Sequence, residues 1–228
     1  MEPAARTSAV RIPQRTGLFV AGALLIIASC LLGAWVFIRG EDPFPIDVWW
    51  NQLLAEWESP FMLWVSQAMN WLGGGWFGVL AVPIGGAILL IVFKRPWSAA
   101  YFLAAEAVSV AGVQALKRLF GRVRPEEIIV VTDYGSYPSG HVANAATIAV
   151  AAVVLFPRLW VVLVGVAWVF LMALSRTYLH AHWLSDTIGG MLIGAGAALL
   201  VAGFFATVVA RERGDAVPSP RPSPASLG

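Results

Sequence analysis

Long apolar runs separated by short polar segments dominate the chain, and each run is close to the length of a membrane crossing. A transmembrane helix needs about 20 predominantly apolar residues. Six stretches are candidates: residues 17–38, 76–93, 97–116, 142–156, 159–174 and 188–210. The last is rich in glycine and alanine, as close helix packing in a membrane requires. The pattern predicts an all-α integral membrane bundle with about six transmembrane helices.

The apolar region over residues 61–93 is too long for one ordinary crossing. The triplet Gly73-Gly74-Gly75 offers a natural break within it. Before that triplet, apolar and aromatic residues recur at helical spacing at positions 57, 61, 64, 68 and 71. Such a stripe is typical of a helix at the membrane interface, where indole rings prefer to sit. Two interpretations stay open: an interfacial helix followed by one span, or one long tilted span.

Composition agrees with a membrane protein, because 59% of the residues are hydrophobic and only 12% are charged. A soluble domain usually carries about 25% charged residues. Residues 1–16 and 211–228 are polar and are predicted to form a disordered cytoplasmic arm and tail, which leaves 17–210 as the membrane domain. Cys30 is the single cysteine, which excludes an intrachain disulfide.

Basic residues in short loops set the orientation of a membrane protein. They favour cytoplasmic termini and place the acidic segment 39–60 and the polar segments 117–140 and 175–186 on the outer side. Segments 117–140 and 175–186 nevertheless carry basic residues, which this rule would place in the cytoplasm. The exceptions to the rule cluster in these two segments. The sequence therefore predicts that something anionic is held there, at the outer face of a plasma (inner) membrane.

Segment 175–186 reads Ser-Arg-Thr-Tyr-Leu-His-Ala-His-Trp-Leu-Ser-Asp and lies between two apolar runs, where charge is costly. His182 and Asp186 are four residues apart, so on a helix they share one face. The carboxylate can accept the Nδ1 proton of the imidazole and leave Nε2 free as a nucleophile or base. Arg176 offers a planar fork suited to phosphate.

Segment 117–140 supplies the complementary groups. Lys117 and Arg124 are seven residues apart, which predicts that they project from one face of a helix that ends at Pro125. Pro138 and Ser139 suit a helix start, whose free N–H groups bind phosphate oxygens, and Gly140 lets the backbone approach a ligand closely. His141 would then lie beside the bound anion. Cations, backbone amides and two histidines together favour phosphoryl chemistry.

On these residues the chain closely resembles the type 2 phosphatidic acid phosphatase superfamily, whose three-part signature is Lys-x6-Arg-Pro, Pro-Ser-Gly-His and Ser-Arg-x5-His-x3-Asp. All three parts occur in order, at residues 117–125, 138–141 and 175–186. The resemblance implies that His182 is the nucleophile that forms a phosphohistidine, that Asp186 orients it, and that His141 is the general acid. It also implies a phosphoryl-binding set: Lys117, Arg124, Ser139, Gly140 and Arg176.

The resemblance implies a lipid phosphate or pyrophosphate as substrate, with no metal or other cofactor and no nucleic-acid partner. A phosphotransferase using the same intermediate and a non-catalytic anionic-lipid transporter or scaffold stay open as alternatives. Which lipid is bound also stays open among polyprenyl pyrophosphate, phosphatidylglycerophosphate, phosphatidate and similar molecules. Four residues outside the signature receive structural interpretations: Arg118 and Arg122 as solvent or head-group contacts, His180 as interfacial, and Glu106 as a buried hydrogen-bonding group.

Overall fold

The computed structural model describes residues 15–40, 42–57 and 59–214, and over these ranges it forms eight α-helices and one π-helical segment. The helices are α1 (Arg15–Ile38), α2 (Pro45–Glu56), α3 (Pro60–Gly73), α4 (Val82–Val92), α5 (Pro96–Phe120), α6 (Gly140–Leu155), α7 (Leu159–Tyr178) and α8 (Leu184–Arg213). The π-helical segment, Phe77–Ala81, leads directly into α4. Helix extends slightly into the predicted arm and tail, most of which lie outside the described residues.

The long helix α8 is the centre of the bundle, with α1, α5 and α6 packed around it. Contact between α6 and α8 is close because glycines face the α6 backbone. A Cβ atom added at Gly194 would lie 2.2 Å from the Ala143 carbonyl oxygen, and one at Gly190 would lie 2.4 Å from that of Ser139. The absence of side chains at these positions therefore fixes the beginning of α6 directly against the first turns of α8.

The bundle is apolar outside as well as inside. Buried apolar side chains of α5, α6 and α8 form a central core. Large apolar side chains such as Leu31, Val164 and Phe170 are exposed on the outer faces of α1 and α7. Such surfaces suit lipid rather than water. This arrangement confirms the all-α, multi-pass membrane class.

The predicted count of six spans is not confirmed. Helices α1, α5, α7 and α8 are long and apolar enough to cross a membrane, which gives four spans among the described residues. Helix α3 and the helix Phe77–Val92 add a fifth when they are taken together. Helix α6 is apolar but has 16 residues, fewer than the ~20 that a full crossing needs.

The glycine triplet breaks the apolar region over residues 61–93, as predicted. Helix α3 ends at Gly73, and the helix that follows is bent by 51° relative to it. The region is therefore not one continuous helix. The bend turns the end of α3 toward α6 and α7, with which α3 is in contact.

Helix α2 lies within segment 39–60, for which the sequence predicted no helix. Its inward face buries Asp47 and Asn51 together with Leu54. A search for apolar periodicity misses such a helix because two of its three buried positions are polar. This polar inward face packs on α7 and α8 beside the functional site.

Candidate active site

Loops and helix ends from distant parts of the chain meet around one cavity of about 340 Å³. Six of the eight predicted site residues line it: Lys117, Arg124, Gly140, His141, Arg176 and His182. The other two, Ser139 and Asp186, are fully buried. The fold therefore brings the three sequence segments together at one end of the bundle.

His182 lies in the short loop between α7 and α8 and is almost completely buried. Its Nδ1 lies 2.8 Å from the carbonyl oxygen of Ser136. Since a carbonyl oxygen only accepts, the proton is assigned to Nδ1, and Nε2 carries a lone pair. This lone pair accepts a hydrogen bond from Nη1 of Arg124 at 3.3 Å, because a guanidinium group can only donate.

Asp186 does not make the predicted hydrogen bond to the Nδ1 atom of His182. Its Oδ2 lies 3.7 Å from Nδ1 of His182, beyond hydrogen-bond distance. The same oxygen accepts a hydrogen bond from the backbone N–H of Trp183 at 2.9 Å. The acceptor for Nδ1 is thus the Ser136 carbonyl, while Asp186 acts on the imidazole through its charge.

Electrostatics keep the His182 imidazole neutral. Burial lowers its pKa to about 4, and the positive charges of Arg176 and Arg124 act in the same direction. The Asp186 carboxylate opposes them, but desolvation of the charged ring is the larger effect. At neutral pH Nε2 therefore carries no proton, as a nucleophile requires.

His141 is the second residue of α6, and a close approach of the glycine triplet holds its ring. Nε2 of His141 lies 3.0 Å from the carbonyl oxygen of Asn70 in α3. A Cβ atom added at Gly74 would lie 2.1 Å from the same nitrogen. The break between α3 and the next helix therefore serves the site as well as the fold, because only glycine leaves room for the imidazole.

Lys117 and Arg124 meet, but not on one helical face as predicted. Helix α5 ends at Phe120, and Gly121 follows in the left-handed conformation with φ +50°, so Arg124 belongs to a loop. Lys117 Nζ donates to Gly135 O at 2.8 Å, and Arg124 Nη2 donates to the same oxygen at 2.8 Å. The loop that precedes α6 thus brings the two cations together.

Asp133 bridges the same two cations. Its Oδ1 lies 3.0 Å from Lys117 Nζ and 2.9 Å from Arg124 Nη2, and 58% of its side chain is exposed. The carboxylate lines the cavity and places an anion on the two basic groups that were predicted to hold phosphate. No pattern in the sequence points to Asp133, because its position follows from the path of a loop.

Arg176 is a buried cation whose N–H groups are not all hydrogen-bonded within the described residues. It lies in the last turn of α7 with 1% of its surface exposed. Nη1 donates to the amide oxygen of Asn70, whereas Nε has no hydrogen-bond partner within the described ranges. Leaving a buried charge without an opposite charge is costly. This guanidinium group at the cavity wall therefore favours an anionic ligand.

The start of α6 adds further donors. Gly140 is its first residue and lines the cavity, and the first N–H groups of a helix have no partner within that helix. Ser139 N donates to Asp186 O at 3.0 Å, which ties this helix start to α8. The Ser139 hydroxyl is buried and has no hydrogen-bond partner in the described part of the chain.

Three interpretations of residues outside the signature change. Arg122 was predicted to contact solvent or head groups, but it is buried and ion-paired with Asp47 and Asp186 at 2.8 and 2.6 Å. His180 is buried against α2, with Nδ1 2.7 Å from the amide oxygen of Asn51. Glu106 is buried, but its Oε1 has no hydrogen-bond partner among the described residues.

Comparison with known proteins agrees with this geometry. The sequence model of one protein family, the PAP2 superfamily, matches residues 98–210, which contain all three signature segments. A lipid A 1-phosphatase of Rhizobium johnstonii is 28% identical over 196 residues, covering 79% of this chain and 77% of the relative. A decaprenylphosphoryl-5-phosphoribose phosphatase of Mycobacterium tuberculosis is 32% identical over 143 residues, covering 60% of this chain and 77% of the relative.

A solved structure shares the fold. The crystal structure of a PAP2-type phosphatidylglycerolphosphate phosphatase from Bacillus subtilis superposes with a TM-score of 0.71 at 23% sequence identity. The match covers 82% of this chain and 97% of that one. Signature, fold and sequence similarity lead to one conclusion: the chain belongs to the PAP2 superfamily and is a membrane phosphatase of that family.

Proposed function

We propose that this protein removes a phosphoryl group from a lipid phosphate or lipid diphosphate through a phosphohistidine formed on His182. The observation that carries the proposal is the geometry of the buried His182 imidazole, whose Nδ1 donates to Ser136 O and whose Nε2 accepts from Arg124 in a cavity lined with cations. A nucleophile next to fixed positive charge is what phosphoryl transfer requires.

In the first step the Nε2 lone pair of His182 attacks phosphorus, and the bond from phosphorus to the lipid oxygen breaks. His141 enters this step in its doubly protonated form and gives its Nδ1 proton to that leaving oxygen, while its Nε2–H stays hydrogen-bonded to Asn70 O. The His182 ring becomes cationic while its Nδ1 proton stays bonded to Ser136 O, and the nearby Asp186 charge stabilises it. In the second step a water oxygen attacks phosphorus, His141 takes the water proton, and the P–N bond breaks to release phosphate.

The cations act on the phosphoryl oxygens. Lys117, Arg124 and Arg176 line one cavity and offer N–H groups where negative charge spreads in the transition state. The backbone amides at the start of α6 add uncharged donors beside them. Asp133 forms ion pairs with two of these cations, so a bound phosphate would take the place of its carboxylate.

Two features support a lipid substrate. The cavity has an apolar wall that includes Val79, Val110 and Val113, and the surrounding helices expose apolar side chains. The names of both relatives describe phosphatases of molecules that carry a phosphate on an apolar anchor. The distribution of basic residues favours a site on the outer side of a plasma membrane, with both termini cytoplasmic.

The test is phosphate release by the purified protein from a panel of lipid phosphates and diphosphates, with His182→Asn as the key variant. Asparagine keeps a donor near Ser136 O but has no nucleophile at the Nε2 position. We expect kcat to fall by about 10⁴-fold or more, because the residues of a catalytic unit are strongly interdependent.

The matched control is His180→Asn, which changes the same residue type in the same loop, away from the cavity. Its amide nitrogen can take over the bond that His180 Nδ1 makes to Asn51, so turnover should stay near that of the unmodified protein. Full activity in His182→Asn, or no phosphate release from any lipid by the unmodified protein, would refute the proposed function.

A further inference from the structure

A buried chain of charges joins α2 to the start of α8, directly behind His182. We propose that Asp47 is a positioning residue for phosphoryl transfer, which acts through Arg122 on Asp186 and so on the His182 nucleophile. The inference rests on the proposed function and adds to it a residue from an element outside the three signature segments.

Arg122 is the central member of this chain. Its Nη1 donates to Asp186 Oδ1 at 2.6 Å and to Ser185 Oγ at 2.7 Å, while its Nη2 donates to Asp47 Oδ2 at 2.8 Å. The guanidinium carbon also lies 5.8 Å from the ring centre of Phe44 and 5.6 Å from that of Trp183. One planar group is thus fixed by two carboxylates and two aromatic rings.

Asp47 also contacts the His182–Asp186 segment directly. Its Oδ1 accepts a hydrogen bond from the backbone N–H of Ser185 at 2.8 Å, and its Oδ2 accepts one from Ser185 Oγ at 2.7 Å. The Asp47 side chain is completely buried. The carboxylate therefore holds the backbone of the loop that carries His182 as well as the guanidinium group that pairs with Asp186.

Charge gives this arrangement its functional effect. Asp47 and Asp186 carry two negative charges against the one positive charge of Arg122, which leaves one net negative charge within reach of the His182 ring. Attack on phosphorus makes that ring cationic, so this charge stabilises the transition state. Without the Asp47 charge, Arg122 would neutralise Asp186 alone, and the developing cation would lose its counter-charge.

Neither Asp47 nor Arg122 lines the cavity, so substrate binding and catalysis should respond differently to their removal. In Asp47→Asn we expect kcat to fall by about 10²-fold, the scale of a small misplacement of a reacting group. KM and inhibition by inorganic phosphate should stay unchanged. The inhibition constant of orthovanadate should rise in parallel with the loss of kcat, because vanadate on Nε2 mimics the transition state.

The matched control is Asp42→Asn, which removes the same charge from an exposed position just before α2 and should behave like the unmodified protein. A second variant, Ser185→Ala, covers the case in which Asp47→Asn does not fold. It removes the hydroxyl between Arg122 and Asp47 while every charge remains, and it should lower kcat about two- to tenfold, the scale of one hydrogen bond.

Vanadate inhibition distinguishes a displaced nucleophile from a loss of folded protein. A smaller folded fraction lowers the apparent kcat but leaves the vanadate inhibition constant unchanged. The proposal is overturned if kcat in Asp47→Asn equals that of the unmodified protein, or, where Asp47→Asn does not fold, if kcat in Ser185→Ala does. It is equally overturned if kcat falls while vanadate inhibition does not weaken. If the unmodified protein is active, His182→Asn is inactive and Asp47→Asn is normal, only the role of Asp47 fails and the proposed function stands.

Discussion

At the residue scale, two cations of the candidate site are paired with a carboxylate of the protein itself. Lys117 and Arg124 share the carboxylate of Asp133 and the carbonyl oxygen of Gly135. The hydrogen bonds to the carbonyl oxygen hold the two side chains beside each other. The carboxylate is more than half exposed and competes with any phosphate for the same donors.

Removal of this competing charge should strengthen anion binding. In Asp133→Asn the inhibition constant of inorganic phosphate should fall by up to about fivefold, because exposed ion pairs contribute ~0.2–1 kcal/mol. The measurement is phosphate inhibition of lipid hydrolysis at fixed ionic strength. Asp42→Asn removes an equal charge elsewhere on the outer loops and should leave the constant unchanged. Weaker inhibition in Asp133→Asn would show that the carboxylate supports the cations instead of competing for them.

At the scale of elements, the break after α3 and the start of α6 form one functional unit. Asn70 at the end of α3 contacts both His141 and Arg176, and Gly74 gives the His141 ring its space. A helix that continued past Gly73 without a bend would move these groups away from α6. The glycine triplet, which the sequence marked only as a break, therefore sets the position of an imidazole.

A methyl group in this space should damage catalysis. In Gly74→Ala the new Cβ would overlap the His141 ring, and we expect a fall in kcat of about 10²-fold from the displaced group. Thermal stability should change little, because the ring can move toward the cavity. The control is Gly85→Ala in α4, where an added Cβ meets no atom within 4 Å. Equal kcat in both variants would contradict the contact.

At the scale of the whole molecule, helix ends that carry the cationic groups lie together, which gives the bundle one chemically active end. Lys117 is in the last turn of α5, Arg176 is in the last turn of α7, and Gly140 begins α6. The distribution of basic residues in the sequence predicts that this end lies on the outer side of the membrane. The opposite end carries Arg211 and Arg213 at the end of α8.

This orientation gives a direct test. A reporter protein that is active only in the cytoplasm should be active when it is fused after Arg213. A reporter that requires the outer compartment should be inactive at the same position. The reverse pattern would place the active site on the cytoplasmic side and would overturn the proposed location while leaving the chemistry unchanged.

The order of residue types along the chain is sufficient to predict the structural class and the family of this protein. Apolar runs identified a helical membrane protein, and the spacing of Lys117, His141, Arg176, His182 and Asp186 identified the family, because a family signature is a pattern of residue types at fixed separations. Apolar periodicity did not reveal α2, whose inward face is polar. It also did not fix the number of spans, since α6 is short and α3 is bent away from the next helix.

Tertiary structure alone decided the partners of each charge. Asp186 pairs with Arg122, His182 donates to Ser136, and Asp133 pairs with the two cations of the proposed phosphate site. These contacts join residues from different segments through loops whose paths carry no periodic signal. Burial gives them their strength, because charges removed from water must find partners wherever the fold places them. The sequence therefore named the reacting groups, and packing set the electrostatic field in which they act.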